Sequence, residues 1–320
     1  MNRGLWVLVI VVAAVGFAAV VLPLFGLAIV FRHEIGTVLF GAAEPASGTR
    51  LVYEVPNLAD GTPADVGDIR RVLAERIDPR GRGGGVVRSA GQGRIEVLVP
   101  EGRDYADAVE RVKRLAARQG KLEFRIVADK VKDGGKADFE RLIELKRAGQ
   151  PLEDPRFRWC PMRRGFEFYK NRFLDDWNFL YVVDKETEKI EVLVDVGDGQ
   201  DITGSDFAGV WADISYAGDP IVSFQMKPEA EARFARLTRP ENRRRFLAII
   251  LDGVIQSAPM LLAQLSTGGI IEGYRGDIRE RDEVVWILDS GPLGVRLGDP
   301  VLEERFGPGS GVDSVKNSSD

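Results

Sequence analysis

The clearest pattern of apolar and polar positions along the chain lies between Ile221 and Pro259. The run Ile221–Met226 is short and apolar, which is typical of a strand. Pro228 follows where the first turn of a helix accepts proline, and apolar residues then recur at helical spacing. Six apolar residues at 246–251 suit a strand buried on both faces, and Asp252-Gly253 favours a type I′ hairpin turn. The pattern therefore predicts a β-α-β-turn-β unit.

Residues 47–127 show a second regular series. Strands are predicted at 51–55, 86–89, 95–99 and 122–127. Thr62 and Asp104 are expected to cap two amphipathic helices between them. The glycines of 81–85 precede a strand, which favours a turn over a phosphate-binding loop. The order β-α-β-β-α-β is that of a ferredoxin-like sheet.

Residues 128–195 differ because aromatic and arginine side chains are interleaved within them. A helix is expected from 139 to 149, and the runs 179–183 and 190–194 predict a hairpin. Three interpretations of this insertion remain open. We favour an insertion with its own small core over a protein- or lipid-contact surface or a platform for single-stranded nucleic acid.

The remaining predicted elements follow the insertion along the chain. Ser205 is expected to cap a helix that carries Phe207 and Trp211 on one side. A helix at 279–288 and a strand at 301–306 are predicted next, followed by a polar tail at 307–320.

The N-terminal run from Gly4 to Phe31 contains 28 residues and no charged side chain. A helix of that length spans about 42 Å, whereas the hydrocarbon core of a bilayer is about 30 Å thick. Residues 1–34 therefore predict an uncleaved membrane anchor with the N-terminus inside. The alternative is a long signal peptide that is cleaved near Ala42-Ala43.

The composition of the chain argues against several classes of function. The net charge of −5 argues against a general nucleic-acid binder, and one Cys and one His exclude an internal disulfide and a tetrahedral Cys/His zinc site. Pairs of carboxylates could serve a hydrolase, but each candidate acid has a simpler role as a cap or turn residue. The candidate acids are Asp206, Asp213, Asp252 and Asp277. We therefore expect no enzyme activity, no cofactor and no metal.

Eight passages, in order, resemble the SecD family, the membrane subunits that assist the Sec protein-export channel. They are SGTRLVYEV at 47–55, ERIDPRG at 75–81, GRIEVLVP at 93–100, GKLEFRIV at 120–127, ITGSDF at 202–207, IVSFQMKPEAEARFARLT at 221–238, LAIILDGVIQSAP at 247–259 and VLEERFGPGSGVDSV at 301–315.

The resemblance implies an α+β protein with a transmembrane helix, a ferredoxin-like base at 47–127 and a head subdomain at 196–276. The segment 277–306 would return to the base. The chain would sit in the bacterial inner membrane as a single-pass protein, N-terminus cytoplasmic and bulk periplasmic. Expected partners are the Sec channel, SecF-like membrane subunits, unfolded preprotein and membrane lipid, without nucleic acid.

The sequence departs from the family at three places. GAAEPASG precedes the first strand where the family has a Leu-rich Gly-Gly motif, and ILDSGPLG follows the helix at 279–288. The sequence also stops before the five further membrane helices that carry the family's proton path. The expectation is therefore a module without its own proton relay: a degenerate paralogue, a truncated reading frame or one piece of a split protein.

The function implied by the resemblance is to hold emerging preprotein and prevent its backsliding. Phe207, Trp211 and Phe224 could line an apolar groove on the head, although the core is the favoured position for each of them. Ala128 and Gly276 are the predicted hinges between head and base. The alternative function is a non-catalytic envelope scaffold that docks on Sec membrane subunits without touching substrate.

Overall fold

The computed structural model describes residues 44–307 except 80, 82, 135, 153, 164–179, 185–186, 188, 198–200 and 275. The predicted anchor, the tail from 308 and most aromatic residues of the insertion lie outside this set. Within the described ranges, none of the helices combines the length and the apolar character that crossing a bilayer requires. All the described elements belong to one compact unit, which begins at Pro45.

Thirteen strands and five α-helices are described. The strands are β1 (Gly48–Glu54), β2 (Val86–Gly91), β3 (Arg94–Pro100), β4 (Leu122–Val127), β5 (Phe157–Pro161), β6 (Tyr181–Val183), β7 (Ile190–Asp195), β8 (Phe207–Ile214), β9 (Pro220–Met226), β10 (Leu247–Leu251), β11 (Val254–Ser257), β12 (Gly268–Ile271) and β13 (Leu302–Phe306). The helices are α1 (Val66–Ile77), α2 (Tyr105–Ala117), α3 (Lys136–Arg147), α4 (Pro228–Leu237) and α5 (Ile278–Ser290).

The base is a four-stranded antiparallel sheet in the order β13-β1-β3-β2. The prediction that 122–127 supplies its fourth strand is wrong, because β4 pairs with β10 and β7 in another sheet. The fourth strand of the base, beside β1, is instead β13, which lies near the end of the described residues. Both segments are short strands, and only the long-range pairing decides which one joins the base.

The caps of the base helices differ from the prediction. The side chain of Asp65, not that of Thr62, caps α1 by accepting the N–H groups of Gly67 and Asp68. Asp104 precedes α2 as predicted, but its φ is 60° and its side chain makes no capping hydrogen bond. The apolar faces of both helices pack on the base sheet in one core cluster.

A ladder of charged side chains crosses the base sheet. Glu96 of β3 accepts hydrogen bonds from Arg50 of β1 and from Arg88 of β2. Arg50 also donates to Glu304 of β13 at 2.8 Å. All four strands are therefore linked by side-chain ion pairs as well as by the backbone.

The second sheet contains β11-β10-β4-β7-β5, with β6 beside β7. Met162 forms a parallel bridge with Ile255, and the N–H of Arg163 donates to the Ile255 oxygen at 3.0 Å, which brings the two ends of this sheet together. The predicted hairpin of the insertion is confirmed by the β6–β7 pair, and the predicted helix by α3. A small cluster of insertion residues forms a core around α3: Ala128, Phe139, Phe157, Leu180 and Leu193.

The third sheet has the order β12-β9-β8, and we call it the head sheet. The predicted helix that starts at Ser205 is wrong: Gly204–Asp206 is a single 3-10 turn capped by Thr203, and 207–214 is strand β8. Pairing with β9 satisfies the backbone of this segment along its length, which outweighs its local helical signal.

The β-α-β-turn-β unit is confirmed as β9, α4, β10 and β11. Asp252 and Gly253 have φ of 53° and 81°, as a type I′ turn requires. The largest core cluster combines residues of β4, β8, β9, β10, α4 and α5. The head sheet thus has one face on this core.

Candidate functional site

Two of the three predicted contact residues belong to the core. The rings of Phe207 and Phe224 stack with centroids 4.8 Å apart, and both side chains are buried. Phe124 and Phe234 lie against Phe224 at 5.5 Å and 6.1 Å. The structure therefore supports the core interpretation for Phe207 and Phe224.

Trp211 lies on the opposite face of the same sheet and is 44% exposed. Its cross-strand partner on β9 is Ser223, whose partner on β12 is Ile270. Ile270 is 39% exposed, so this row presents two large apolar side chains to solvent. We call this surface the outer face, defined by Gly209, Trp211, Ser223, Gln225, Gly268 and Ile270.

A β-bulge explains why Phe207 and Trp211 point to opposite sides. Residues four apart on a regular strand share a face, but the register of β8 against β9 shifts between Phe207 and Gly209. The extra residue turns Phe207 into the core and leaves Trp211 outside. The glycine in this segment was the one sequence signal of a bulge.

Small and polar residues surround the two exposed side chains of the outer face. A side chain at Gly209 would meet the indole ring of Trp211 at 3.8 Å, so the ring lies beside this glycine. The Ser223 hydroxyl donates to Asp213 at 3.0 Å. The outer face therefore presents two apolar side chains on a surface of small and polar residues, and its chemistry suits contact with apolar side chains rather than bond making or breaking.

Arg76 occupies a second notable position, where the base meets the rest of the chain. Its side chain is fully buried and donates to the carbonyl oxygens of Leu115, Arg118 and Gly291. These oxygens lie at the C-terminal ends of α2 and α5, where helices leave carbonyl groups unpaired. Burial lowers the pKa of Arg76 to about 10, which still keeps it charged at neutral pH.

Asp252 contacts the same region from the hairpin of β10 and β11. Its carboxylate accepts the N–H groups of Gly120 and Lys121, both at 2.8 Å, and pairs with Arg118 at 2.9 Å. The N–H of Leu293 donates to the Gln119 oxygen at 2.8 Å. We call this region the joint, defined by Arg76, Asp252, 118–121 and 290–293.

The predicted hinges lie elsewhere. Ala128 is fully buried in the small insertion core, and its N–H donates to the Leu193 oxygen at 2.9 Å. Gly276 has a φ of 82° in the turn before α5. Their role as hinges stays a prediction. Sequence reasoning missed the joint because the groups that Arg76 and Asp252 bind are distant from them in the sequence.

The other acids that were weighed as catalytic candidates have local contacts. Asp206 completes the cap with Thr203 and pairs with Arg233. Asp213 binds Ser223, and Asp277 caps α5 by accepting the Glu280 N–H. In the part of the chain that the structure describes, no three His, Cys, Asp or Glu residues are grouped so that they could hold a metal ion.

Comparison with known proteins identifies relatives of this fold. Residues 180–295 match the family model described as SecDF, P1 head subdomain, a wider range than the predicted head at 196–276. The protein translocase subunit SecDF of Thermus thermophilus is 32% identical over 272 residues, which are 84% of this chain and 31% of the relative. SecD of Aquifex aeolicus is 28% identical over 246 residues, which are 77% of this chain and 40% of the relative.

Solved structures agree with these matches. One is titled "Structure and function of a membrane component SecDF that enhances protein export"; it has a TM-score of 0.50 at 25% identity and covers 78% of this chain and 97% of its own. Another, "Crystal structure of SecDF in Super-membrane-facing form", shares the fold with a TM-score of 0.54 at 24% identity and covers 89% of this chain and 34% of its own. The chain spans less than half the length of the two curated relatives above. Together these findings support a segment related to the SecD periplasmic domain.

Proposed function

We propose that this chain takes part in Sec-dependent protein export and that the outer face of its head sheet contacts the exported polypeptide while that polypeptide is unfolded. The observation that carries the proposal is the exposed row of Trp211 and Ile270 on an otherwise small and polar surface. Exposed aromatic and aliphatic side chains on a rigid sheet are typical anchors for a protein partner. The relatives reported above are named as translocase subunits rather than as enzymes.

The shape of the site fits an extended, sequence-diverse ligand. The sheet supplies a shallow surface, and the carboxylate of its ionisable neighbour Asp213 accepts a hydrogen bond from the Ser223 hydroxyl. Apolar side chains of an unfolded segment can therefore pack on Trp211 and Ile270 beside a carboxylate that already accepts hydrogen bonds from Ser223 and from the Ile214 N–H. Such contacts select apolar content rather than one sequence, which export of many substrates requires.

The proposal also concerns location. The charge-free run 4–31 would anchor the chain in the inner membrane, and the described domains would lie on the periplasmic side near the Sec channel and SecF-like subunits. Labelling of an introduced Arg70→Cys by a membrane-impermeant maleimide in whole spheroplasts tests this topology. Labelling only after lysis would contradict it.

Binding is tested by titration of the purified full chain with a reduced and alkylated polypeptide that cannot fold. Trp211→Ser and Ile270→Ser should each weaken the affinity several-fold. Leu58→Ser is the matched control, because Leu58 is a comparably exposed apolar residue of the base at 38%. Unchanged affinity in both head variants would contradict polypeptide binding at this face. It would favour the scaffold function, in which the chain docks on Sec membrane subunits alone.

A further inference from the structure

A second surface of the head combines cations with exposed apolar side chains. Residues 236–245 contain five arginines and one glutamate, in a chain whose net charge is −5. Arg245 is buried against Asp133, which leaves four of these arginines at the surface. Three exposed apolar side chains accompany them: Val131 at 73%, Leu262 at 44% and Met260 at 41%.

Hydrogen bonds bring the three segments together. The Lys132 ammonium donates to the carbonyl oxygens of Glu241 and Arg243 at 3.0 Å and 2.9 Å. The N–H of Arg244 donates to the Leu261 oxygen at 2.7 Å. Residues 130–132, 236–245 and 260–262 therefore form one continuous surface, which we call the basic tip.

The acids around the basic tip offset only part of its positive charge. Asp129 directs its carboxylate to the N–H groups of Val131 and Lys132. Asp133 is paired with Arg156 and Arg245, and neither arginine is among the four at the surface. Glu241 lies 3.8 Å from Arg239, and both side chains are well exposed. The surface consequently stays positive.

We propose that the basic tip docks on an anionic membrane surface. Lys and Arg attract acidic headgroups, while neighbouring apolar side chains enter the boundary between headgroups and acyl chains. The three apolar residues come from loops and not from a groove, which suits insertion into a fluid surface better than recognition of a folded partner. The residues of the basic tip are not those of the outer face. Membrane docking and polypeptide binding can therefore fail independently of each other.

The test uses the full chain with its N-terminal apolar run covered by a non-ionic amphipol. Leu262→Cys carries an environment-sensitive fluorophore; the native Cys160 is buried, and labelling of the unmodified chain measures its background. Vesicles that contain phosphatidylglycerol should shift the emission to the blue. Vesicles of phosphatidylcholine alone should not, and salt should weaken the effect. A label at Leu58→Cys should stay unchanged.

Removal of positive charge from the basic tip provides the second part of the test. Arg243→Gln with Arg244→Asn should weaken vesicle binding about thirtyfold, since each cation near an anionic surface contributes roughly a fivefold gain in affinity. Asn is chosen at 244 because its φ there is 65°, a region that Asn tolerates. Arg70→Gln with Arg103→Gln removes the same charge from exposed positions of the base and should change binding less than twofold.

Several results would overturn the proposal. They are an absent shift with anionic vesicles, an equal shift with neutral ones, and an equal loss in the Arg70/Arg103 control. Displacement by inorganic phosphate would identify a free-anion site, and a shift with polyglutamate but not with vesicles would identify an acidic protein partner. Thermal melting of each variant separates these outcomes from misfolding.

Discussion

The Arg76 guanidinium donates a hydrogen bond to the carbonyl oxygen of Gly291 at 2.7 Å, across 215 positions of the chain. The same side chain binds Leu115 and Arg118 at the end of α2. One buried cation thus holds the two places where the chain passes between the base and the head. The joint is therefore a structural centre of the molecule, and its Arg76 belongs to the ERIDPRG passage.

Replacing Arg76 tests this role. Arg76→Met should lower the free energy of unfolding by about 3 kcal/mol, because three carbonyl groups at buried or partly buried positions lose their donor. Equilibrium unfolding in urea measures the change. Arg70→Met, an exposed position on the same helix, should change it by less than about 0.5 kcal/mol. Similar losses at the two positions would refute the role of the joint.

Two substitutions should separate the hydrogen bonds that Asp252 accepts from its ion pair with Arg118. Asp252→Asn keeps an oxygen for the N–H groups of Gly120 and Lys121 and tolerates the positive φ, so it should cost about 1 kcal/mol. Asp252→Ala loses both functions and should cost about 2–3 kcal/mol. Amide hydrogen exchange at 120 and 121 should accelerate in the Ala variant and much less in the Asn variant. The reverse order would contradict the hydrogen-bond account.

The charged ladder of the base predicts a dependence of stability on pH. Burial alone would raise the pKa of Glu96, but its hydrogen bonds and ion pairs with Arg88 and Arg50 outweigh burial and lower it. A lowered pKa in the folded state contributes stability above the unfolded value, about 4.3, and this stability is lost as the pH falls further. Urea midpoints between neutral and acidic pH should therefore fall less steeply in Glu96→Gln. Glu101→Gln, at an exposed position, should follow the unmodified protein.

The two faces of the head sheet should respond differently to truncation. Phe224→Ala removes a buried ring and should cost about 3–5 kcal/mol of unfolding free energy. Trp211→Ser and Ile270→Ser remove half-exposed side chains and should cost much less, about 1 kcal/mol or below. Thermal and urea unfolding of the three variants measure this. A loss at Trp211 as large as that at Phe224 would mean that the indole belongs to the core.

Sequence patterns that extend over a few residues predicted the individual helices and strands well. The β9–α4–β10–β11 unit followed from one apolar run, a proline at the first helical turn and an Asp-Gly turn, all of which act within a few residues. The base helices and most strands were predicted for the same reason. Their caps were predicted less well, because both Thr62 and Asp65 precede the first turn of α1 and only the backbone geometry decides which of them caps it.

Long-range pairing explains the failures. Strand β4 has the length and pattern of a base strand, but its neighbours β7 and β10 become known only when the chain folds. Strand β8 has a helical start signal, and its bulge separates Phe207 from Trp211. Arg76 resembled an ordinary helix arginine, since the carbonyl groups that it binds come from distant helix ends.

The most direct test of the central claim is a site-specific cross-link in living cells. A photoreactive amino acid at Trp211, and separately at Ile270, is exposed to light while an export substrate is stalled in the Sec channel. The same residue at Leu58 of the base is the control. We predict an adduct with the stalled substrate from the two head positions and none from the base. An inserted, folded chain that gives no adduct from either head position, or equal adducts from all three, would contradict polypeptide binding by the outer face.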